Sequence, residues 1–429
     1  MPAALTAVQR TLSNGVHLVA TPVPHTAAVS LYVASRAGSG SEPVELSGVT
    51  HFVEHMLFRH GSHEPGAFAC AIERLGGQIN AATEPELTAV GAKVPSEAWN
   101  DALQIVARMV HEPTMDPDEI EKERTVILDE LALLDDLPEE SARRSVLARL
   151  WPNHPFGREI AGTATTVRAL TRDALLRRAV EMFAGRNTIV SVAGALDPSA
   201  VLDVLADVFG SVPAGSREAY PVFHANGQES GRVQVIRREA EQAYFSIAGF
   251  TPGRASRDRY AIELLAAVLG AGFGARLVLE LRERHGLAYD VSAELGYCGK
   301  HGVLSIDGAT DPDDLTRAVA IVLGELSDVA DRGVTEEEFE RARAYTVGGL
   351  VRSLEDSAVV AAWHAREQAL EPSPLPPDAL IDRVRTVARS DVTASAQACL
   401  APSWPLIAVA GPLSDNTDIP TELVGSGGG

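Results

Sequence analysis

The sequence predicts an α+β fold built twice, as two homologous domains, and three observations carry that expectation. Short strand-like runs alternate with amphipathic helical patterns in both halves of the chain, the signature of sheets covered by helices. A helical pair in the first half, SEAWNDALQIVARMV then DPDEIEKERTVIL, is echoed in the second by DPDDLTRAVAIVLGELSDVA then TEEEFERARAYTV, and repetition at this scale marks a duplicated unit. Between the copies, Gly210 to Gly231 is rich in Gly, Pro, Ser and polar residues and reads as a linker. The expected organisation is therefore a first domain at 1–212, a linker at 213–231, a second domain at 232–414, and a flexible tail at 415–429 that ends in GSGGG.

Taken in order, VHLVATPV and AVSLYVAS read as the opening strands. The segment SGVTHFVEHMLFRHGS then reads as a helix, with Ser47 as N-cap and Val49, Phe52, Val53, Met56 and Leu57 as its apolar stripe. TAVGAKV is a strand. Asp116 caps a long helix whose first turn accepts Pro117, with Ile120, Ile127, Leu131 and Leu134 on its buried seam. TIVSVAGA closes the first half. In the second half VQVIRR, AYFSIAGF and VLSIDGA are strands, RYAIELLAAVLG is a helix, and LVLELRERHG is a helix leading through Gly286 and Leu287 into a strand that holds Tyr289.

Chemistry enters at His51, Glu54 and His55. Positions i and i+4 share a helix face, so both imidazoles can address one cation with the carboxylate beside them. The order H-x-x-E-H is the inverse of the zinc peptidase motif H-E-x-x-H. Two histidines four apart are also compatible with ordinary half-buried residues. A zinc site needs one more protein ligand, and the 116–134 helix offers Glu123 and Glu130 on its apolar seam. Carboxylates there need a partner or a metal, unless the seam is only partly buried and both are solvated. The repeat register that sets Asp116 against Thr335 puts Glu123 opposite Ala342 and Glu130 opposite Gly349. The second copy keeps packing residues such as Phe339 and lacks both the carboxylates and the histidines. Packing alone does not require that asymmetry.

These residues resemble the pitrilysin and insulysin family of inverzincin metallopeptidases, in its short-chain branch typified by the mitochondrial processing peptidase and its bacterial relatives. Further segments share the resemblance: GGQINAATEPELT from Gly76, His154-Pro155-Phe156-Gly157-Arg158 with Gly162-Thr163, and LRERHGLAYDV from Leu281. The resemblance implies two domains related by a pseudo-twofold, each a mainly antiparallel sheet of about six strands packed with helices. It implies one Zn2+ on His51, His55 and Glu130, with Glu54 as general base and Glu123 supporting the site. It implies that the strand at Asn80, Ala81, Ala82 and Thr83 receives the peptide, and that Arg282 and Tyr289 assist catalysis. The loop Gly270-Ala271-Gly272-Phe273-Gly274 departs from the family's Gly-rich run followed by Ser-Ser-Arg-Leu.

The expected activity is zinc-dependent endoproteolysis of short or unfolded peptides. The alternatives are a leader-peptide processing enzyme that works with a partner subunit, and a scaffold subunit without catalysis. By resemblance the peptide is enclosed by four domains, which predicts a homodimer or a heterodimer with a related subunit. Composition points the same way. A hydrophobic content of 45% over 429 residues supports a sizeable core in more than one domain. The net charge of -21 disfavours nucleic acid and anionic membrane as partners and admits cationic peptides. Cys70, Cys298 and Cys399 are few and far apart, which favours a reducing compartment. No signal peptide or membrane-spanning run is read, so a cytoplasmic location is expected.

Overall fold

The strand-like runs assemble into two sheets in the computed structural model, which describes residues 6–59, 66–224, 233–400, 405–414 and 417–420. The first sheet comprises β1 (Val8–Thr11), β2 (His17–Pro22), β3 (Ala28–Ser35), β4 (Gln78–Thr83), β5 (Thr88–Pro95) and β6 (Thr188–Gly194). Its order is β1-β2-β6-β3-β5-β4. Every neighbouring pair is antiparallel except β2 and β6. The second comprises β7 (Val233–Arg237), β8 (Ala243–Pro252), β9 (Val291–Cys298), β10 (His301–Thr310) and β11 (Leu406–Gly411), in the order β7-β11-β8-β10-β9. Here only β7 and β11 run parallel.

Without β1, the two orders are the same, with the one parallel pair in the same place, so the duplication read from the helices extends to sheet topology. The helices keep the sequence register as well. Those beginning at Pro117 and Pro138 have counterparts beginning at Glu336 and Ser357.

The compact units are discontinuous in sequence. One holds Met1–Leu131, Arg158–Pro221 and Val351–Leu380; the other holds Ala132–Gly157, Val222–Leu350 and Ile381–Gly429. The helix Ser357–Leu370, from the second repeat, therefore packs in the first unit, and Pro138–Leu150, from the first repeat, packs in the second. The division expected at 213–231 does not anticipate this exchange. Burial on both faces of the sheet explains why such a helix is needed. Leu18, Leu31, Val33, Val90 and Val192 enter one core, while the alternate residues Val19, Ala34, Ala89 and Ile189 meet Ala365 of Ser357–Leu370.

Three local expectations are corrected. β11 had no place in the sequence reading, although its run Leu-Ile-Ala-Val-Ala-Gly is buried throughout, as is that of its counterpart β6. The nominal linker is fastened at its start: Asn187 Nδ2 donates to the Ser216 carbonyl, Arg178 pairs with Glu218, and the Tyr220 hydroxyl donates to the Arg36 carbonyl. The tail is held at Ile419, which is buried, and at Asp418, whose carbonyl accepts from Thr316 Oγ1. The remainder of the linker read as 213–231, and the terminal GSGGG, lie outside the described residues.

Candidate metal centre

The His-bearing helix runs Val49–Leu57 and buries Val49, Phe52, Val53, Met56 and Leu57, the stripe read from the sequence. Its start differs from the expectation. The N-cap is Gly48 at φ 93, a left-handed conformation suited to glycine, and Ser47 makes no cap. The cap comes from Glu42 instead, whose Oε2 accepts from Gly48 N and whose Oε1 accepts from Thr50 N, each at 2.8 Å. The glutamate helix runs Pro117–Asp136, and Asp116 Oδ1 accepts from Asp118 N at 2.9 Å as its cap. Ile120, Ile127 and Leu131 are buried, as is Glu123 at 3% exposure.

These two helices bring His51, His55 and Glu130 together, with one potential donor atom of each within 4.8 Å of the others. His51 Nε2 lies 3.9 Å from Glu130 Oε1, and His55 Nε2 lies 3.7 Å from Glu130 Oε2. Tetrahedral zinc with bonds of about 2.0–2.1 Å holds its ligands roughly 3.4 Å apart, so the three groups would draw closer together on a bound ion. Two imidazole nitrogens and a carboxylate oxygen form a donor set suited to zinc. His55 Nδ1 is 3.0 Å from Glu123 Oε2. That contact aims Nε2 at the centre, as carboxylates behind metal-bound histidines commonly do.

The groups of the cluster shift in different directions. Burial, with the adjacent His55, pushes His51 down to about 4, which keeps its ring neutral and its lone pair free. His55 moves up: burial pulls it down, but the hydrogen bond and charge of Glu123, with Glu130 and Glu54 beyond, outweigh burial. Glu123 is held below the usual carboxylate range, since its hydrogen bond with His55 and the charge of Arg59 overcome burial. Burial raises Glu54 despite the hydrogen bond from Thr83 and the proximity of His55. A carboxylate displaced upward in this way is better matched to proton transfer near neutral pH.

Sequence reasoning missed two residues of this centre, Arg59 and Glu42. Arg59 pairs with Glu123 and lies 3.7 Å from Glu119. With Glu54, His55, Phe58, Gly66 and Glu123 it lines a cavity of about 330 Å³. Arg59 continues the four-residue spacing of His51 and His55, a signal the sequence offered, whereas Glu42 lies off that spacing and only the fold reveals it.

The expected substrate strand is β4, which ends its sheet with β5 as its neighbour. Asn80 and Ala82 are exposed, while Ala81 and Thr83 are half-buried. Thr83 Oγ1 donates to Glu54 Oε2 at 2.7 Å. In the second unit, the Arg282 guanidinium carbon lies 4.8 Å from the Tyr289 ring centroid and 5.4 Å from that of Phe273. The LVLELRERHG helix is a short turn, Arg276–Val278, followed by a π-helical turn, Leu279–Arg284, that carries Arg282. Tyr289 precedes β9 in a loop, 81% exposed, where the sequence reading had it in the strand. Phe273, in the loop that departs from the family pattern, is 76% exposed.

The segment His154 to Thr163 serves structure at several points. His154 packs against Trp151 and Phe156 with ring centroids at 5.5 and 4.7 Å. Arg158 Nη2 donates to the Glu42 carbonyl at 2.6 Å, and the Thr163 hydroxyl caps the helix Ala164–Ala169.

Comparison with known proteins accords with this geometry. Residues 16–164 match the family model described as insulinase, peptidase family M16, and residues 169–345 match that of the peptidase M16 inactive domain. An uncharacterized zinc protease of Mycobacterium tuberculosis is 34% identical over 363 residues, covering 83% of this chain and 82% of the relative. One from Streptomyces coelicolor is 29% identical over 414 residues, covering 94% and 89%. The crystal structure of a protease from Helicobacter pylori superposes with a TM-score of 0.87 at 20% identity, covering 95% of this chain and all of that one, a likeness of fold. With family models across most of the chain and relatives named as zinc proteases, this protein belongs to peptidase family M16, the pitrilysin and insulysin family whose motifs it carries.

Proposed function

We propose that the chain is a zinc-dependent endopeptidase acting on short or unfolded peptides, with Glu54 as general base. The observation that carries this reading is the convergence of His51, His55 and Glu130 with Glu54 on the same helix as both histidines. Zinc held by those three groups would supply Lewis acidity toward a scissile carbonyl and bring the pKa of water toward neutrality. Glu54 takes the proton of the attacking water and returns it to the leaving amine. Thr83 fixes Oε2 of that carboxylate, and we assign the proton to Oε1.

Asn80, Ala81, Ala82 and Thr83 receive the substrate through main-chain pairing along the free edge of β4, which requires an extended peptide. Arg282 and Tyr289 retain their proposed role as donors to the developing oxyanion, which predicts a fall in kcat for Arg282→Lys and Tyr289→Phe. The working form in this reading is a dimer in the cytoplasm. Cys70, Cys298 and Cys399 are few and far apart in sequence, which this reading takes as suited to a reducing compartment. Among the described residues no helix is long and apolar enough to cross a membrane.

Metal analysis of the purified chain tests the centre. One zinc per chain, lost in His51→Ala and in Glu130→Gln, is the expected result. Wild-type protein that takes up no zinc would remove the reading, and light scattering that finds an active monomer would remove the dimer.

A further inference from the structure

The metal helix lacks a cap of its own. Gly48, at its start, has no side chain, and Ser47 does not substitute for one. The first N–H groups of a helix have no intrahelical acceptor and need an external one when buried. Thr50 is fully buried and Glu42 is 4% exposed, so solvent does not fill that role.

Glu42 supplies both of its oxygens, to Gly48 N and Thr50 N at 2.8 Å each. The Glu42 main chain is held as well, because Arg158 Nη2 donates to the Glu42 backbone carbonyl at 2.6 Å. A second brace is Arg178, whose Nε donates to Thr50 Oγ1 at 2.9 Å and whose Nη2 donates to the Gly38 carbonyl and to Ser41 Oγ at 3.0 Å each. Backbone contact completes the clamp, since a Cβ on Gly48 would lie 2.4 Å from the Ala161 carbonyl oxygen. His51 is the next residue after Thr50, so the cap holds the helix turn that carries the first ligand.

We propose that Glu42 is a positioning residue for the metal centre, fixing His51 through a two-point carboxylate cap on the first turn of its helix. The inference rests on the zinc reading above and adds to it a residue nine positions before His51 that lies outside the ligand motif. An anionic carboxylate at this end also meets the positive end of the helix dipole. His55 has Glu123 behind it, whereas His51 Nδ1 is buried and has no hydrogen-bond partner among the described residues. His51 therefore depends on the helix backbone for its aim.

The test is zinc affinity, measured by competition with a chromophoric chelator, together with urea unfolding and steady-state kinetics. Wild type, Glu42→Ala, Glu42→Gln and Asp197→Ala are compared. Asp197 Oδ1 caps the helix Pro198–Phe209 by accepting from Ser199 N, so its variant reports an ordinary lost cap in the same unit. The proposal expects Glu42→Ala to bind zinc roughly tenfold or more weakly and to lose kcat with KM little changed. Glu42→Gln keeps one acceptor and falls between, and it carries the test should Glu42→Ala fail to fold. Asp197→Ala should lose stability and keep wild-type zinc affinity. Glu42 variants that lose stability yet bind zinc as wild type does would overturn the proposal while leaving the zinc reading intact. A wild-type chain that binds no zinc would overturn both.

Discussion

Thr83 Oγ1 donates to Glu54 Oε2 at 2.7 Å, so the edge strand assigned to the substrate and the carboxylate assigned to the proton are joined by one hydrogen bond. A peptide that pairs with β4 would lie on the strand that orients the base.

Removing that bond gives the first prediction. Thr83→Val keeps the shape and loses the donor, and a hydrogen bond to an ionised group contributes about 1.5–3 kcal/mol. A fall in kcat/KM of roughly tenfold or more follows. The Thr83 bond lowers the Glu54 pKa against the upward pull of burial. Its loss therefore raises that pKa, and the acidic limb of the kcat/KM profile moves to higher pH. Thr83→Ser should restore both quantities, and an unchanged pH profile in the valine variant would count against the coupling.

Glu123→Gln addresses the support behind His55. The amide can still meet His55 Nδ1, but it removes the charge shared with Arg59 and loosens the imidazole. Zinc affinity should fall roughly 10–100-fold, with the far-ultraviolet circular dichroism unchanged. A variant that competes for zinc as well as wild type would show that Glu123 is a packing residue.

The start of the metal helix is sensitive to one methyl group. Gly162 sits at φ 81, and a Cβ there would lie 2.3 Å from the Ser47 carbonyl oxygen. Gly162→Ala combines left-handed strain of about 1–2 kcal/mol with that clash. Its unfolding free energy should fall by at least about 2 kcal/mol in urea titration, and a loss below about 0.5 kcal/mol would mean that the crossing chains are not tightly apposed.

Stability should decline in mild acid, partly through His111. Burial, opposed by Glu112, pushes this imidazole down to about 4, and its Nε2 is buried without a hydrogen-bond partner among the described residues. Its folded pKa lies below its unfolded value of about 6.5, so the unfolded chain binds the proton first as pH falls. The contribution is complete above about pH 6.5 and is lost on the way down to about 4. The cost reaches about 2 kcal/mol at pH 5. His111→Phe, packed against Phe209, should narrow the difference in urea midpoint between pH 7.5 and pH 5. An unaltered difference would place the acid sensitivity elsewhere.

The cluster of His51, His55 and Glu130 was legible in the sequence because helical spacing is local physics. His51 and His55 share a face by their separation, and Glu123 and Glu130 lie on a seam defined by Ile120 and Ile127. Much of what holds those residues in place was not legible. Arg178 reaches Thr50 from 128 residues away, Glu42 folds back from the preceding loop, and Arg59 meets Glu123 on another helix, contacts that helical spacing does not display. The exchange of Pro138–Leu150 and Ser357–Leu370 was hidden for a related reason. An apolar helix face shows that a sheet must cover it and does not show which sheet. Tyr289 was placed in a strand because Val291, two residues on, begins one, and element boundaries are set by pairing that the sequence does not display.

The most direct test of the account is cleavage of an unstructured peptide mixture by the purified, zinc-loaded chain alone, read by mass spectrometry beside Glu54→Gln. The account predicts internal peptide cleavage by wild type and its disappearance in the variant, with zinc still bound. No cleavage by the zinc-loaded wild type, or equal cleavage by Glu54→Gln, would contradict it.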